Sequence, residues 1–203
     1  MKKATLYLTL LTFSAMQLLA QTTVWKTDKA HSQVNFSVSH LLIAEVTGRF
    51  NEFDATLSHI KEDFTDATIE ATIKASSINT DNQMRDNHLR SDDFLNAEKY
   101  PNLIFKSTSI EKTGKNTYKI KGDLTVRDST KSVVLDAKFN GQITDPKGNT
   151  KAGFKATTTI DRFEFGVKWN RALETGELLA GREITITLLM EFNKQKIEAE
   201  NKK

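Results

Sequence analysis

The chain has 203 residues and no cysteine, which excludes a disulfide-stapled scaffold and a zinc site built on cysteine ligands. Its 29 lysine and arginine residues nearly balance its 26 aspartate and glutamate residues, giving a formal net charge of +3. This balance lacks the basic footprint that is typical of nucleic-acid-binding proteins. We therefore expect one domain held together by its apolar core, and no nucleic-acid partner.

Residues 1–20 have the three parts of a secretory signal peptide. Two lysines give a positive start, residues 6–19 are mostly apolar, and Ala20 supplies the small residue before a cleavage site. The apolar run is shorter than the roughly 20 residues that a bilayer span needs, so an uncleaved anchor is the weaker alternative. We predict cleavage after Ala20 and a periplasmic or secreted product. Residues 21–193 would form the domain and residues 194–203 a charged, solvated tail.

Most of the remaining sequence alternates between apolar and polar residues. Strict alternation of this kind predicts half-buried β-strands with one wet and one dry face. About eight strands are expected, and the Gly-, Asn- and Asp-containing segments 112–116 and 145–149 are typical of hairpin loops between antiparallel strands. The fold class is therefore all-β; a two-sheet sandwich and a closed barrel both remain open, with the barrel favoured. The alternating runs are 34–38, 67–75, 118–126, 133–141, 154–160 and 184–192.

Three segments depart from this alternation. Between residues 46 and 57 the apolar residues change parity, which predicts a β-bulge within one strand. The apolar stretch 40–44 is expected to form a helical turn. Residues 77–101 are mostly polar and predict a short helix, with start signals at 79–81 and with Met84, His88 and Leu89 on one face.

The sequence lacks the common signatures of metal, nucleotide and serine-hydrolase chemistry. No two of the four histidines have the spacing of a helical metal site, and neither a Gly-x-Ser-x-Gly elbow nor a glycine-rich phosphate loop is present. Asp28, His31 and Ser32 resemble a triad on paper, but at a strand start such residues more often cap turns. We therefore predict no metal and no cofactor.

The densest polar cluster is the segment 85–93, which holds a histidine and several carboxylates. The favoured interpretation is structural: Arg85 and Asp86 would pair with neighbours and anchor the helix to the sheet. A contact with the headgroup of a ligand is the second interpretation. Catalysis by His88 with Asp86 is the third, since such a pair can transfer protons if the geometry allows.

Small residues recur on the dry face of the predicted strands. They would either let neighbouring elements approach closely or leave a void along the axis of a barrel, and we favour the void. An eight-stranded barrel is about wide enough to hold one small ligand when its lining is slim. These residues are Ala67, Ala71, Ala75, Ala137, Gly141, Ala152 and Ala156.

Six short fragments follow one another between Trp25 and Phe192: Asp28-x-x-His31-Ser32-x-Val34-x-Phe36, Gly48-Arg49-Phe50-x-x-Phe53, Arg85-Asp86-x-His88-Leu89-Arg90-Ser91-x-Asp93-Phe94, Tyr100-Pro101, Gly122-Asp123-Leu124-Thr125-Val126-Arg127 and Ile160-x-Arg162-x-x-Phe165-Gly166. Each fragment is weak by itself, but their number, order and spacing are specific. In these fragments the chain resembles the YceI family of lipocalin-like, polyisoprenoid-binding proteins of the bacterial periplasm.

The resemblance implies an eight-stranded antiparallel lipocalin-like barrel with a short helix near one end. It also implies an apolar tunnel that takes an isoprenoid quinone, a polyprenyl chain or a similar amphiphile, often in a homodimer. Two places depart from the family pattern. Asp128 and Ser129 stand where a glycine is usual, and the charged segment 167–182 carries Trp169.

The sequence therefore favours a protein that binds and carries or sequesters a long-chain isoprenoid lipid, with transient membrane contact, and that is not an enzyme. Three alternatives stay open: another amphiphile such as a fatty acid or fatty amide, an enzyme acting on a bound lipid through His88 and Asp86, and a structural barrel with a filled core. The expected ligand-binding residues are Phe36, Phe50, Ile69, Ile73, Arg85, Asp86, His88, Leu89, Leu124, Leu135, Phe154, Phe165 and Ile186.

Overall fold

The computed structural model describes residues 21–172, 176 and 178–196, which form eleven strands, one α-helix and two 3-10 helices. The predicted signal peptide and residues 197–203 of the predicted tail lie outside the described residues. The 3-10 helices are Ala75–Ser77 and Arg162–Phe165, and α1 is Gln83–Arg90. The strands are β1 Thr23–Thr27, β2 Gln33–His40, β3 Ala44–Phe50, β4 Phe53–His59, β5 Thr68–Lys74, β6 Ile78–Asn79, β7 Asn102–Lys112, β8 Thr117–Val126, β9 Ser129–Thr144, β10 Thr150–Asp161 and β11 Ala180–Lys194.

The strands close into an antiparallel barrel with eight strand positions. Three positions are each shared by two short strands. Strands β1 and β2 both pair with β11. At the next position β4 pairs with β1 and β3 with β2, and at the third β5 pairs with β4 and β6 with β3. Single long strands, β7 to β11, fill the other five positions. The predicted eight-stranded barrel with a short helix near one end is confirmed, and the loops 112–116 and 145–149 are hairpin connections as predicted.

The predicted β-bulge between residues 46 and 57 was wrong. Asn51 and Glu52 interrupt the extended conformation and separate β3 from β4. As a result Phe50 and Phe53, three residues apart, both face the barrel interior. Ser77 satisfies the two backbone amides at this interruption. Its carbonyl accepts a hydrogen bond from the Asn51 amide (3.1 Å), and its hydroxyl accepts one from the Glu52 amide (3.0 Å). A parity change alone does not distinguish a bulge from such a break.

The predicted helical turn at 40–44 was also wrong. The segment is the tip of the β2–β3 hairpin, and Leu41 and Leu42 have φ angles of 52° and 62°. Left-handed φ at two successive turn residues is the geometry of a tight hairpin, which usually takes Asn or Gly there. Because both positions are leucines, the sequence carries none of the usual turn signals.

The β8–β9 turn is built without the usual glycine. Arg127 adopts a left-handed φ of 56°, and its guanidinium donates to the carbonyl oxygens of Asp92 (2.7 Å) and Phe94 (2.8 Å). Asp128 accepts a hydrogen bond from the Tyr100 hydroxyl at 3.0 Å, and this contact lowers the pKa of the Asp128 carboxyl. Side-chain bonds to the segment after α1 therefore hold this turn in place.

Aromatic side chains close the end of the barrel that carries the β4–β5, β7–β8 and β9–β10 loops. The buried His59 ring accepts a hydrogen bond from Trp25 Nε1 at 2.9 Å and donates through Nδ1 to the Lys61 carbonyl at 2.8 Å. Phe64 packs on His59 with a centroid distance of 4.5 Å and on Phe154 at 5.4 Å. This end is consequently filled, whereas the opposite end is where α1 and the β2–β3 tip lie.

A half-buried ion cluster joins β10 and β11 to the loop after β1. The Lys151 ammonium lies 2.7 Å from both Asp28 Oδ2 and Glu191 Oε1, and His31 Nδ1 lies 3.2 Å from Asp28. Ser32, which the sequence analysis grouped with Asp28 and His31, instead donates a hydrogen bond to the Glu191 carbonyl and accepts one from the Glu191 amide. The Lys151 ammonium lowers the pKa of Asp28 below its usual range, and the carboxylates of Asp28 and Glu191 raise the pKa of Lys151.

This cluster predicts an acid-dependent loss of stability. Because the Asp28 pKa is lower in the folded protein than its ordinary value of 3.8, the unfolded chain binds more protons between the two values. The contribution is therefore fully present well above pH 3.8 and is lost as the pH falls below it. Thermal unfolding should find Asp28→Asn less stable than the wild type at neutral pH and nearly equal to it in strong acid. A difference that grows on acidification would contradict the assignment.

Candidate functional site

The barrel encloses an apolar cavity of about 600 Å³. Along each strand every second side chain faces inward, and these side chains form the wall of the cavity. Several of these side chains, Ile69, Ile73 and Phe36 among them, are only half-buried because they border the empty interior. Nine predicted ligand-binding residues lie on this wall: Phe36, Phe50, Ile69, Ile73, Leu124, Leu135, Phe154, Phe165 and Ile186.

Four of the seven small residues predicted on the dry face line the cavity and contribute to its width: Ala67, Ala71, Ala137 and Ala156. The other three, Ala75, Gly141 and Ala152, do not line it. A core packed to ordinary density would fill this volume with larger apolar side chains. The alternative of a structural barrel whose interior is completely filled by side chains is therefore wrong.

The cavity opens at the end that carries α1. Three segments form the mouth: the β2–β3 hairpin through His40, the first turn of α1 through Met84, and the segment before β11 through Trp169 and Leu179. The hairpin extends past the end of β6, whose two residues pair with Arg49 and Phe50 of β3. The gap between hairpin and helix is the entrance.

Arg85 brings a cation to the mouth. Its Nε donates to Thr80 Oγ1 at 2.8 Å and its Nη2 to the Thr80 carbonyl at 2.9 Å, while the side chain borders the cavity. Nη1 has no hydrogen-bond partner in the part of the chain that the structure describes. A donor in this position is suited to a polar group at the end of an apolar ligand.

An aromatic cluster of His88, Phe94 and Trp169 lines the mouth beside Arg85. The His88 ring meets Phe94 and Trp169 edge-on at centroid distances of 5.0 and 5.6 Å, and the latter two rings are 5.3 Å apart. His88 Nε2 donates to Asp93 Oδ2 at 2.8 Å, which leaves Nδ1 for a ligand. Leu89, also predicted, lies on the cavity wall. The sequence analysis noted Trp169 only as part of the charged segment 167–182 and did not connect it with His88.

Asp86, expected among the ligand-binding residues, does not line the cavity. It also does not contact His88, so the third interpretation of the polar cluster, a catalytic His88–Asp86 pair, was wrong, and the contacts of Asp86 agree with the favoured structural one. Residues two apart on a helix point to different faces. The Asp86 side chain is buried and accepts hydrogen bonds from the Thr80 amide (2.8 Å) and hydroxyl (2.6 Å). Thr80, in the segment predicted to start the helix, thus ties α1 to the preceding chain, and the N-cap is Asn82.

Asp86→Ala is expected to lower the free energy of unfolding by about 2–3 kcal/mol, since hydrogen bonds to charged groups are worth about 1.5–3 kcal/mol and the Thr80 donors would be left without an acceptor. Asp86→Asn keeps an acceptor oxygen and should cost less. Urea unfolding of both variants measures the difference. Equal stability of Asp86→Ala and the wild type would refute the structural role.

Arg162 holds the segment 167–181 at the mouth of the cavity, a role that the sequence analysis did not predict. Its buried guanidinium donates to four carbonyl oxygens, those of Val167 (2.9 Å), Trp169 (2.7 Å), Ala180 (3.0 Å) and Gly181 (2.8 Å). Burial lowers the pKa of Arg162. The two ends of the segment 167–181 are therefore held together by one side chain.

One group of side chains has the composition of a metal site. Asp28, His31 and Glu191 offer ligand atoms within 4.8 Å of one another, away from the cavity. The Lys151 ammonium already contacts both carboxylates and supplies their counter-charge. The cluster is thus explained as an ion network between strands.

Comparison with known proteins assigns the chain to a family. A family model described as a YceI-like domain matches residues 25–192. The chain belongs to the YceI family. The resemblance noted between Trp25 and Phe192 is thereby confirmed. Within its described residues, this YceI-like protein has no helix with the length and apolar character needed to cross a membrane.

Relatives cover nearly the whole barrel. A UPF0312 protein of Staphylococcus aureus (strain USA300) is 36% identical over 167 residues, which is 82% of this chain and 95% of the relative. The solved structure of a Campylobacter jejuni YCEI protein is 33% identical with a TM-score of 0.66, covering 83% of this chain and 96% of that one. A polyisoprenoid binding domain from Saccharophagus degradans has a TM-score of 0.60 at 11% identity, covering 84% and 98%, and is similar in fold.

Proposed function

We propose that this YceI-like protein binds a long-chain isoprenoid lipid, a polyprenyl chain or an isoprenoid quinone, with its tail inside the barrel. The observation that carries the proposal is the apolar cavity of about 600 Å³, closed by aromatic side chains at one end and open at the other. Such a cavity matches an amphiphile with a long apolar body and one polar end. The fold is also that of a domain described as polyisoprenoid binding.

Burial of the tail supplies the binding energy. Each methylene group removed from water contributes about 0.8 kcal/mol, so several isoprene units bind tightly without any polar contact. The headgroup would stay at the mouth, where Arg85 and His88 offer polar atoms. A fatty acid or fatty amide would use the same wall, so the choice among these lipids depends on the mouth.

Carriage or sequestration of the lipid is proposed for the periplasm or the cell exterior, on the strength of the predicted signal peptide. A homodimer, which the family resemblance implied, stays a prediction. The protein is proposed to bind its lipid without chemical change, because most of the residues that wall the cavity are apolar.

A series of isoprenoid probes of increasing chain length, titrated into lipid-free protein, tests the proposal. The dissociation constant should fall by up to about fourfold per added methylene, which is 0.8 kcal/mol expressed as an affinity ratio, until the cavity is full. A dissociation constant that is independent of chain length would show that the tail is not buried.

An enzyme acting on a bound lipid is a second candidate, and one observation favours it. His88 and Asp93 form a hydrogen-bonded pair at the mouth of the cavity, a pair that can transfer protons. Turnover of a candidate lipid that is lost in His88→Ala while binding persists would support this candidate. Recovery of an unchanged lipid after prolonged incubation would count against it.

A further inference from the structure

The mouth of the cavity carries apolar side chains that point away from the protein. Ile43 is 88% exposed and Met84 is 84% exposed, the highest values among the large apolar side chains of the described residues, and Leu42 is 59% exposed. Leu42 and Ile43 form the β2–β3 tip, and Met84 borders the entrance from the first turn of α1. We call these three side chains the apolar rim.

The rim is continuous with the cavity wall. His40 at the base of the tip lines the cavity, and the Leu41 amide donates to the carbonyl of Leu179, which also lines it, at 3.0 Å. An apolar surface that surrounds the entrance of an apolar cavity differs from the scattered exposed apolar residues that are normal on proteins. Ile60 and Ile143, for comparison, lie near the closed end.

The backbone of the tip gives a second observation. Leu41 and Leu42 both adopt left-handed φ angles, which bulky residues rarely take and which asparagine or glycine would adopt more easily. Unfavourable backbone conformations concentrate at functional sites. The tip therefore has leucine at two positions where the turn itself would favour asparagine or glycine.

Three side-chain pairs near the mouth join a basic residue to a carboxylate. Arg49 contacts Asp81 at 3.2 Å, His88 contacts Asp93, and Arg182 contacts Asp161. Exposed apolar side chains beside such polar groups match the boundary between headgroups and acyl chains of a bilayer, entered by shallow insertion. Attraction to anionic lipid is not needed for such a contact.

We propose that the apolar rim inserts into the surface of a lipid bilayer, so that the mouth of the cavity faces the membrane from which the lipid enters or to which it leaves. This inference rests on the proposed function, because lipid exchange at the mouth is what directs the rim toward a bilayer. The partner is the acyl region of the membrane.

Co-sedimentation with vesicles of phosphatidylethanolamine and phosphatidylglycerol tests the inference. The triple variant L42S/I43S/M84S should bind at least ten-fold more weakly than the wild type, since transfer of even one large apolar side chain into lipid is worth that factor. The control I60S/I143S removes two exposed apolar residues near the closed end and should bind like the wild type. High salt should leave binding almost unchanged.

A second measurement separates this inference from the proposed function. Uptake of an isoprenoid probe dispersed without vesicles should be equal in the wild type and in the double variant L42S/I43S, which leaves the cavity lining unchanged. Transfer of the probe from vesicles should be slower in the double variant. Equal vesicle binding by the triple variant, or dimerisation through the rim in place of vesicle binding, would overturn membrane docking alone. Absence of probe uptake by the wild type would instead overturn the proposed function.

Discussion

Ala71→Asp is expected to weaken lipid binding by at least about 100-fold while leaving the barrel folded. Ala71 faces the cavity from β5, where an introduced carboxylate is hydrated as long as the cavity is empty. An apolar tail would displace that water, and removing a carboxylate from water costs several kcal/mol. Titration of an isoprenoid probe, with circular dichroism to verify folding, measures the effect.

Thr72→Asp is the matched control, because Thr72 is the next residue of the same strand and its side chain is exposed on the outer face. Its affinity for the probe should equal that of the wild type. If both variants bind like the wild type, the tail does not run along this wall. If both lose binding equally, the effect comes from the strand and not from the cavity.

Arg162→Met is expected to lower the free energy of unfolding by at least about 3 kcal/mol, because hydrogen bonds to a charged group are lost and four carbonyl oxygens at a buried site lose their donor. The effect should also reach the ligand, since the segment that carries Trp169 would no longer be held at the mouth. Urea unfolding and probe titration measure the two consequences.

Arg182→Met provides the comparison. Arg182 is exposed and pairs with Asp161, and exposed ion pairs contribute about 0–1 kcal/mol. A loss of stability in Arg162→Met no larger than in Arg182→Met would mean that the four-carbonyl contact is not what holds the mouth segment.

The barrel wall was predictable because one local rule decides it. Along a strand, side chains alternate between the two faces, so the apolar parity of segments such as 67–75 and 184–192 already identifies the residues that line the cavity. Closure into a barrel was favoured but not decided, because pairing of β1 with β11 joins residues about 170 positions apart and leaves no local signature. The break at Asn51 and Glu52 was misread for the same reason: its partner, Ser77, is remote in sequence.

The mouth was less predictable because its side chains are placed by contacts between segments. The sequence placed Arg85, Asp86 and His88 together, but only the fold separates them: Asp86 turns inward to Thr80, while His88 turns to Asp93. The leucine-rich tip at 41–43 lacks turn residues altogether, so its hairpin geometry follows from the pairing of β2 with β3.

Mass spectrometry of an organic extract from the purified protein tests the central claim most directly. We expect an isoprenoid lipid, or another long-chain amphiphile, in a fixed molar ratio to the wild type and at a strongly reduced level in Ala71→Asp. Lipid-free wild type should take up an added isoprenoid quinone. An extract without lipid, together with no uptake of quinone or long-chain amphiphile, would contradict a lipid-binding function for this barrel.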